Sequence, residues 1–350
     1  MAFLSAVSTY VPDGTGGDGR PRHLSSPSPE MLSVHQLVER AANQIDPAVL
    51  SSAATSTAAS FHCGTLYQGE HFWPIQNSIQ QAVLGESTAG AATEIRQFCS
   101  GGLFGVMLAD ALLEAGWAGD HALVTGGDSF FYFDRHEYAN SPATEGSLMG
   151  DSGFCVVLNR HRGFARILSA AARSHNPSAA MMRTRTDYAT DDPDFPTLAG
   201  WIERWDGFER RRPGGVADNA MASFQIAVGT VIDCYDRAGV EPDQIAWLLP
   251  SFIEPSYVTE TLAKQTMLQS PPGLRPYASQ FGHLTVSDFC INLSYVMNNG
   301  IIRPGDLVML FAAGNFVNSA AVLIRIEEEV ELPINIAAES PEPPTIEGGR

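Results

Sequence analysis

Two stretches of this chain, far apart in sequence, run in the same order, and that duplication narrows the choice of fold more than any other feature. After Cys99, "LFGVMLADALLEAG" has helical periodicity and is followed by "WAGDHALVTGG", an apolar strand ending in glycines. Near the C-terminus the helical "DFCINLSYVMNNG" leads into "IIRPGDLVMLFAAG". Each unit runs helix, glycine, short turn with Gly-Asp, apolar strand, glycine. Earlier in each half a helix again leads into a strand: "VHQLVERAANQI" before "SSAATSTAASFH", and "ADNAMASFQIAVGTVIDCYDRAG" before "IAWLLPS". In the last of these helices Met221, Phe224, Val228, Val231 and Tyr235 recur at three to four residues, and Gly239 ends it. The alternation, with "GFARILSAAAR" as a further strand, predicts an α/β fold with largely buried sheets. A duplicated chain of this kind sets equivalent loops of its halves around one pseudo-twofold site. The halves read as 1–165 and 166–330. The tail 331–350, rich in Pro and Glu, reads as disordered, and "RHLSSPSPEML" as a loop.

A length of 350 residues with 44% hydrophobic side chains is enough for a large core. No window approaches 18 uninterrupted apolar residues, and the N-terminal apolar run has no basic segment before it, so neither a membrane span nor a secretory signal is expected. The net charge of −18 argues against binding nucleic acid through its phosphates. Lys264 is the only lysine, and the densest positive cluster is "RWDGFERRRPGG". Arg210, Arg211 and Arg212 there fit a solvated loop or a docking patch for an acidic partner. Cys63, Cys99, Cys155, Cys234 and Cys290 are odd in number and form no C-x-x-C pair, so no zinc site or other metal site is expected, and a reducing cytoplasm is.

Each duplicated unit has candidate chemistry at its head. Cys99, in "EIRQFCSGGLFG", precedes a helix, where backbone N–H groups and the dipole favour a thiolate. The glycines at 101 and 102 permit substrate or backbone to approach closely. Taken alone, Cys99 fits a small buried core residue better than it fits a nucleophile; the other four cysteines read as core. In "SQFGHLTVSD", His283 follows a glycine and Asp288 opens a helix. A thiol nucleophile needs a base, and the base an orienting group; Cys99, His283 and Asp288 supply the three types. His23, His121, His136 and His161 lie in polar, turn-like surroundings and read as surface; His62 and His71 are harder to dismiss. The small residues ending the strand of "LFAAGNFVNSAAVLIR" either form a tight turn or join the Cys99 N–H in receiving an oxyanion.

At these residues the chain resembles the ketosynthase III (3-oxoacyl-acyl-carrier-protein synthase III) branch of the thiolase superfamily, over roughly residues 3–327. The resemblance rests on "STYVP", "ATSTAAS", "FWPIQNSIQQAVLG", "FCSGGLFGVMLADALLEAG", "LMGDSGFCVVL", "AGVEPDQIAWLLPSF", "FGHLTVSDF" and "RPGDLVMLFAAG", in that order. It implies a five-layer αβαβα fold of two pseudo-duplicated halves, a homodimer and an acyl-thioester on Cys99. It implies an oxyanion hole from Cys99 and the backbone at Ala313 and Gly314. It also puts Trp73 over the partner subunit's acyl pocket, with Ser251 and Phe316 beside the substrate. Condensing members use Cys-His-Asn, but this chain has Ser251 at their histidine position and His283 at their asparagine position. A subset in secondary-metabolite pathways, including polyketide and antibiotic biosynthesis, shows the G-H-x-x-x-x-D pattern found at 282–288 and resembles acyltransferases.

The arginines that condensing members set around coenzyme A are not evident; Ser256 stands at one such position. An acyl-phosphopantetheine thioester on an acyl carrier protein is therefore the expected donor, with acyl-CoA the other, and no cofactor. Two alternatives stay open: a decarboxylative starter-unit synthase, and a non-catalytic subunit that shapes a partner synthase.

Overall fold

Among the described residues, nine strands line up in one mixed sheet, and the helices that join them decide where its chemistry sits. The computed structural model describes residues 1–13, 24, 32–70, 72–86, 88, 90–130, 148–183, 201–251 and 256–335. The tail beyond 335, most of "RHLSSPSPEML", His23, His71 and His136 lie outside the described residues, as does the side chain of Ser256.

The strands are β1 (Phe3–Tyr10), β2 (Thr57–Cys63), β3 (Ala91–Ile95), β4 (His121–Asp128), β5 (Ser152–Asn159), β6 (Ala165–Ser174), β7 (Ile245–Pro250), β8 (Leu307–Gly314) and β9 (Asn318–Ile326). The helices are α1 (Val34–Ala42), α2 (Pro47–Ser56), α3 (Ile75–Leu84), α4 (Gly101–Glu114), α5 (Trp201–Arg211), α6 (Gly215–Ala238), α7 (Ser256–Thr266), α8 (Leu274–Ser279) and α9 (Asp288–Asn298). The spatial order is β3-β2-β4-β5-β1-β6-β9-β8-β7, and a two-residue β10 (Ile334–Asn335) pairs with β1. β2 pairs in parallel with β3 and β4, and β7 with β8; the other neighbours are antiparallel. Only Phe3↔Arg166 and Leu4↔Ala165 join β1 to β6, so the sheet is two halves held by a short seam.

The contacts stack these elements in five layers. α1 and α3 cover the outer face of the first half. α4 reaches β2 and β4 on one side and β8 and β9 on the other, and α9 touches β1, β7 and β8, so both lie between the halves. α6 covers β6 and β9 from outside, with α7 against it. Strands covered on both faces read as continuous apolar runs, and every residue of β2, β4 and β5 is buried.

Three local readings change. Residues 51–56 of "SSAATSTAASFH" belong to α2, because Asp46 caps Ala48 N–H and Pro47 sets the first turn. Met221 is 63% exposed, so the core face of α6 runs through Val228, Val231 and Tyr235, with Gly239 closing the helix at a φ of 65°. His121 is buried at the start of β4, bonded to Ser56 Oγ at 2.7 Å and to Asn159 Nδ2 at 2.8 Å, whereas His161 is exposed beside Asp120.

Candidate active site

The two head segments of the duplicated units meet between the halves. Cys99 immediately precedes Ser100, the N-cap of α4, and Phe98 before it takes a left-handed φ of 51°. That backbone conformation is uncommon for a bulky residue and marks a tight, over-determined turn. Ser100 Oγ donates to Gln97 O at 2.7 Å and closes the turn.

His283 is fixed by its own backbone: its N–H donates to Leu148 O at 2.8 Å, and its carbonyl accepts from Gly150 N–H at 3.0 Å. Gly282 before it has a φ of 67°, and a Cβ there would fall 2.3 Å from Leu148 O, so only glycine fits. Thr285–Ser287 form a short 3-10 turn that delivers Asp288 to the first position of α9.

The result is a continuous buried relay. His283 Nε2 lies 3.0 Å from Cys99 Sγ, and His283 Nδ1 lies 2.6 Å from Asp288 Oδ2. The second carboxylate oxygen of Asp288 accepts the Leu284 N–H at 2.8 Å, which fixes the orientation of the carboxylate. Burial by itself would push the imidazole down, but the negative charges of Cys99 and Asp288, with their hydrogen bonds, raise it well above its ordinary value. Burial raises the Asp288 carboxyl as well, against the opposing pull of His283 and the Leu284 amide. The arrangement can hold a thiolate beside an imidazolium and pass one proton back and forth at Nε2.

The other expected residues fall in different places. The Gly102 position is approached by backbone and not by substrate: a Cβ there would be 2.5 Å from Val286 O and 2.6 Å from the Phe289 ring. Gly314 lies directly against the Cys99 turn, where a Cβ would come 2.7 Å from Gln97 O and 2.9 Å from Phe98 Cβ. Asn315 and Phe316 both have positive φ, and Val317 N–H donates to Gly314 O at 2.9 Å, the pattern of a type I′ turn. The Phe316 ring rests on Trp205 of α5, with centroids 5.6 Å apart.

Ser251 follows β7 in a buried position, its N–H bonded to Phe311 O and its hydroxyl without a partner among the described residues. Asn292, one turn beyond Asp288 on α9, donates to Pro250 O. Trp73 is 38% exposed and stacks on His35 at the outer surface of the first half. Arg210 and Arg211 occupy the last turn of α5 and Arg212 follows; all three are exposed.

All five cysteines are free and buried. Burial raises the thiols of Cys63, Cys155, Cys234 and Cys290, to about 12 at Cys155 and about 11 at Cys234. His62 is buried too: burial first, and then the nearby His35, lower it to about 3, and its Nδ1 meets Thr125 Oγ1. It is a neutral core histidine.

Sequence reading missed four residues around the relay. Asn318 Nδ2 donates to Gln97 Oε1, tying the C-terminal hairpin to the nucleophile turn. Asp128, at the end of β4, accepts the hydroxyl of Thr285. The available signal was an aspartate after two glycines at the end of a buried strand.

Residues 93–176 match the family model described as 3-oxoacyl-[acyl-carrier-protein (ACP)] synthase III, and residues 235–326 match that of its C-terminal part; together they cover half of the chain. The beta-ketoacyl-[acyl-carrier-protein] synthase III of Bartonella tribocorum is 27% identical over 246 residues, 67% of this chain and 68% of that protein. Among solved structures, ChlB3, described as an acyltransferase, superposes with a TM-score of 0.75 at 20% identity, covering 94% of this chain and 98% of the other. The beta-ketoacyl-[acyl-carrier-protein] synthase III of Thermus thermophilus gives 0.68 at 18% identity, covering 94% and 100%. These superpositions match the five-layer architecture.

Proposed function

This chain is a ketosynthase III-like member of the thiolase superfamily, and from that premise we propose that it is an acyltransferase working through an acyl-Cys99 intermediate. The observation that carries the reading is the buried relay Cys99–His283–Asp288, whose spacings suit proton transfer in both directions. His283 Nε2 takes the Cys99 proton, and the thiolate attacks the carbonyl carbon of an acyl thioester. The tetrahedral oxyanion is received by the amides of Cys99 and of the Ala313–Gly314 backbone, beside the nucleophile turn. The carbon–sulfur bond to the donor breaks, and the departing thiolate takes its proton from His283. An acceptor thiol, hydroxyl or amine then gives a proton to Nε2 and attacks the acyl-Cys99 carbonyl, releasing the Cys99 thiolate. Asp288 holds the imidazole in register throughout and stabilises its positive charge.

Transfer is favoured over carbon–carbon condensation by the residue at 251. A hydroxyl cannot share with His283 the charge of an enolate as a second imidazole could, and Ser251 is buried and fixed at the end of β7. The donor we propose is an acyl carrier protein, docking at Arg210–Arg212. Trp205, on the same helix, touches Phe316 in the turn beside Gly314, so a partner bound there would stand close to the nucleophile. A homodimer in which Trp73 reaches a partner's acyl pocket, in the cytoplasm and in a secondary-metabolite pathway, completes the reading.

The test is incubation with acyl-carrier-protein and acyl-CoA donors followed by intact-mass and peptide analysis. One acyl mass on Cys99, passed on when an acceptor thiol is added, is the expected result. No mass shift with any donor, or full transfer by Cys99→Ala, would sink it. Carbon dioxide and a β-ketoacyl product from a malonyl thioester would select condensation instead.

A further inference from the structure

We propose that Asp128 is a positioning residue for the Cys99–His283 pair, acting through the hydroxyl of Thr285; the proposal deepens the acyl-transfer reading and rests on it for the meaning of that pair. Asp128 belongs to the first half of the sheet and is completely buried. One carboxylate oxygen accepts the N–H groups of Thr65 at 2.9 Å and Leu66 at 3.1 Å. The other accepts the Thr285 hydroxyl and, at 3.2 Å, again the Thr65 N–H. A buried carboxylate with so many donors is a rigid post, because each lost bond would leave a polar group stranded.

Thr285 is what the post holds. It is fully buried, and it takes a left-handed φ of 55°, a genuine outlier for a β-branched residue that persists only where the surroundings enforce it. It lies between His283 and Asp288, in the turn that sets the distance from imidazole to carboxylate. Its neighbours are clamped as well: Leu284 N–H donates to Asp288, and Ser152 Oγ to the Leu284 carbonyl at 3.4 Å. Asp128 thus fastens this second-half turn to the first half, which carries Cys99. Of the titratable groups around it, the Cys63 thiol on β2 feels its charge.

The experiment reads the pair without any acyl donor. Cys99 is 8% exposed and the other four cysteines 0%, so carboxamidomethylation by iodoacetamide, mapped by mass spectrometry, follows Cys99. Thr285→Val keeps the shape and removes the hydroxyl; it should slow Cys99 modification at neutral pH on the order of tenfold. The NMR titration of His283 should fall back towards the ordinary imidazole range in the same variant. Asp128→Asn should act alike, and Thr285→Ser should restore both readouts. Thr285→Gly accepts the backbone conformation without strain yet lacks the hydroxyl, and should be as slow as Thr285→Val. Unsubstituted rates and titration in Thr285→Gly or in folded Thr285→Val would overturn the proposal, as would a Thr285→Ser protein as slow as Thr285→Val. Slowed modification in a protein whose parent transfers no acyl group would support the positioning role while removing the acyl-transfer reading.

Discussion

Gly102 and Val286 touch across the two halves so closely that a single added carbon at 102 would stand 2.5 Å from the Val286 carbonyl oxygen. The contact is between the first turn of α4, which Cys99 leads into, and the turn that links His283 to Asp288. The nucleophile and its base are therefore set at their distance by direct backbone packing, with no long flexible side chain between.

Gly102→Ala should push that turn away, because the obstructing atoms belong to backbone and to the buried Phe289 ring. Overpacking of this kind costs about 1–3 kcal/mol. Urea denaturation should show the loss, and Cys99 modification by iodoacetamide should slow in the folded variant. An unchanged midpoint and rate would show that the 283–289 segment yields freely.

Asp288→Asn keeps an acceptor for the Leu284 N–H but removes the charge facing His283 Nδ1. Formation of acyl-Cys99, followed by intact mass, should slow on the order of ten-thousandfold, as when a triad loses its orienting carboxylate. A loss of less than about tenfold would mean that Asp288 is not the orienting group.

The raised pKa of His283 fixes the sign of a stability effect. Its folded value lies above 6.5, so the interactions that raise it stabilise the fold fully below 6.5 and are lost as pH climbs through the folded value. His283→Gln should therefore cost the most stability at mildly acidic pH and progressively less towards alkaline pH. Urea midpoints across that range check it; a gap that widens on the alkaline side would contradict the assigned direction.

Asp128 predicts an acid limb. Burial raises its carboxyl to about 6, against the hydrogen bonds of Thr285 and of the Leu66 and Thr65 amides. As pH falls through about 6 the group takes a proton and its hold on Thr285 weakens, so acyl-Cys99 formation should decline there. Thr285→Val removes a bond that lowers this pKa, so the limb should move to higher pH. The same raised value makes Asp128, by itself, favour the folded state more as pH falls from about 6 to 3.8. A pH–rate profile in both proteins decides it; coincident limbs count against the assignment.

Replacing Arg210, Arg211 and Arg212 by alanine should raise KM for an acyl-carrier-protein donor about tenfold at low salt and leave a small N-acetylcysteamine thioester unaffected. The difference should shrink as ionic strength rises. Equal losses with both donors would place the effect on the fold of α5 and not on docking.

Much of the architecture was legible because periodicity is a local property. The apolar spacing of "LFGVMLADALLEAG" and "DFCINLSYVMNNG" fixes two helices, and the runs after them two strands, whatever the rest of the chain does. Local patterning failed where a cap or a covering element decides: Asp46 and Pro47 carry α2 through residues 51–56, and Met221 points away from the core that the spacing gave it.

At the site, the residue types in "FCSGG" and "FGHLTVSD" established by themselves that a thiol, an imidazole and a carboxylate were available, with Asp288 at a helix start. Only the tertiary structure decided that they meet, 184 positions apart, with His283 Nε2 3.0 Å from Cys99 Sγ. It alone showed that the Gly102 gap is filled by Val286 and Phe289, and that Asp128 and Asn318 each brace a turn of the opposite half. The physical reason is that a hydrogen bond depends on ångströms and angles between groups that sequence does not order. Helical and strand periods repeat along the chain, but a contact between halves exists only once the layers have packed.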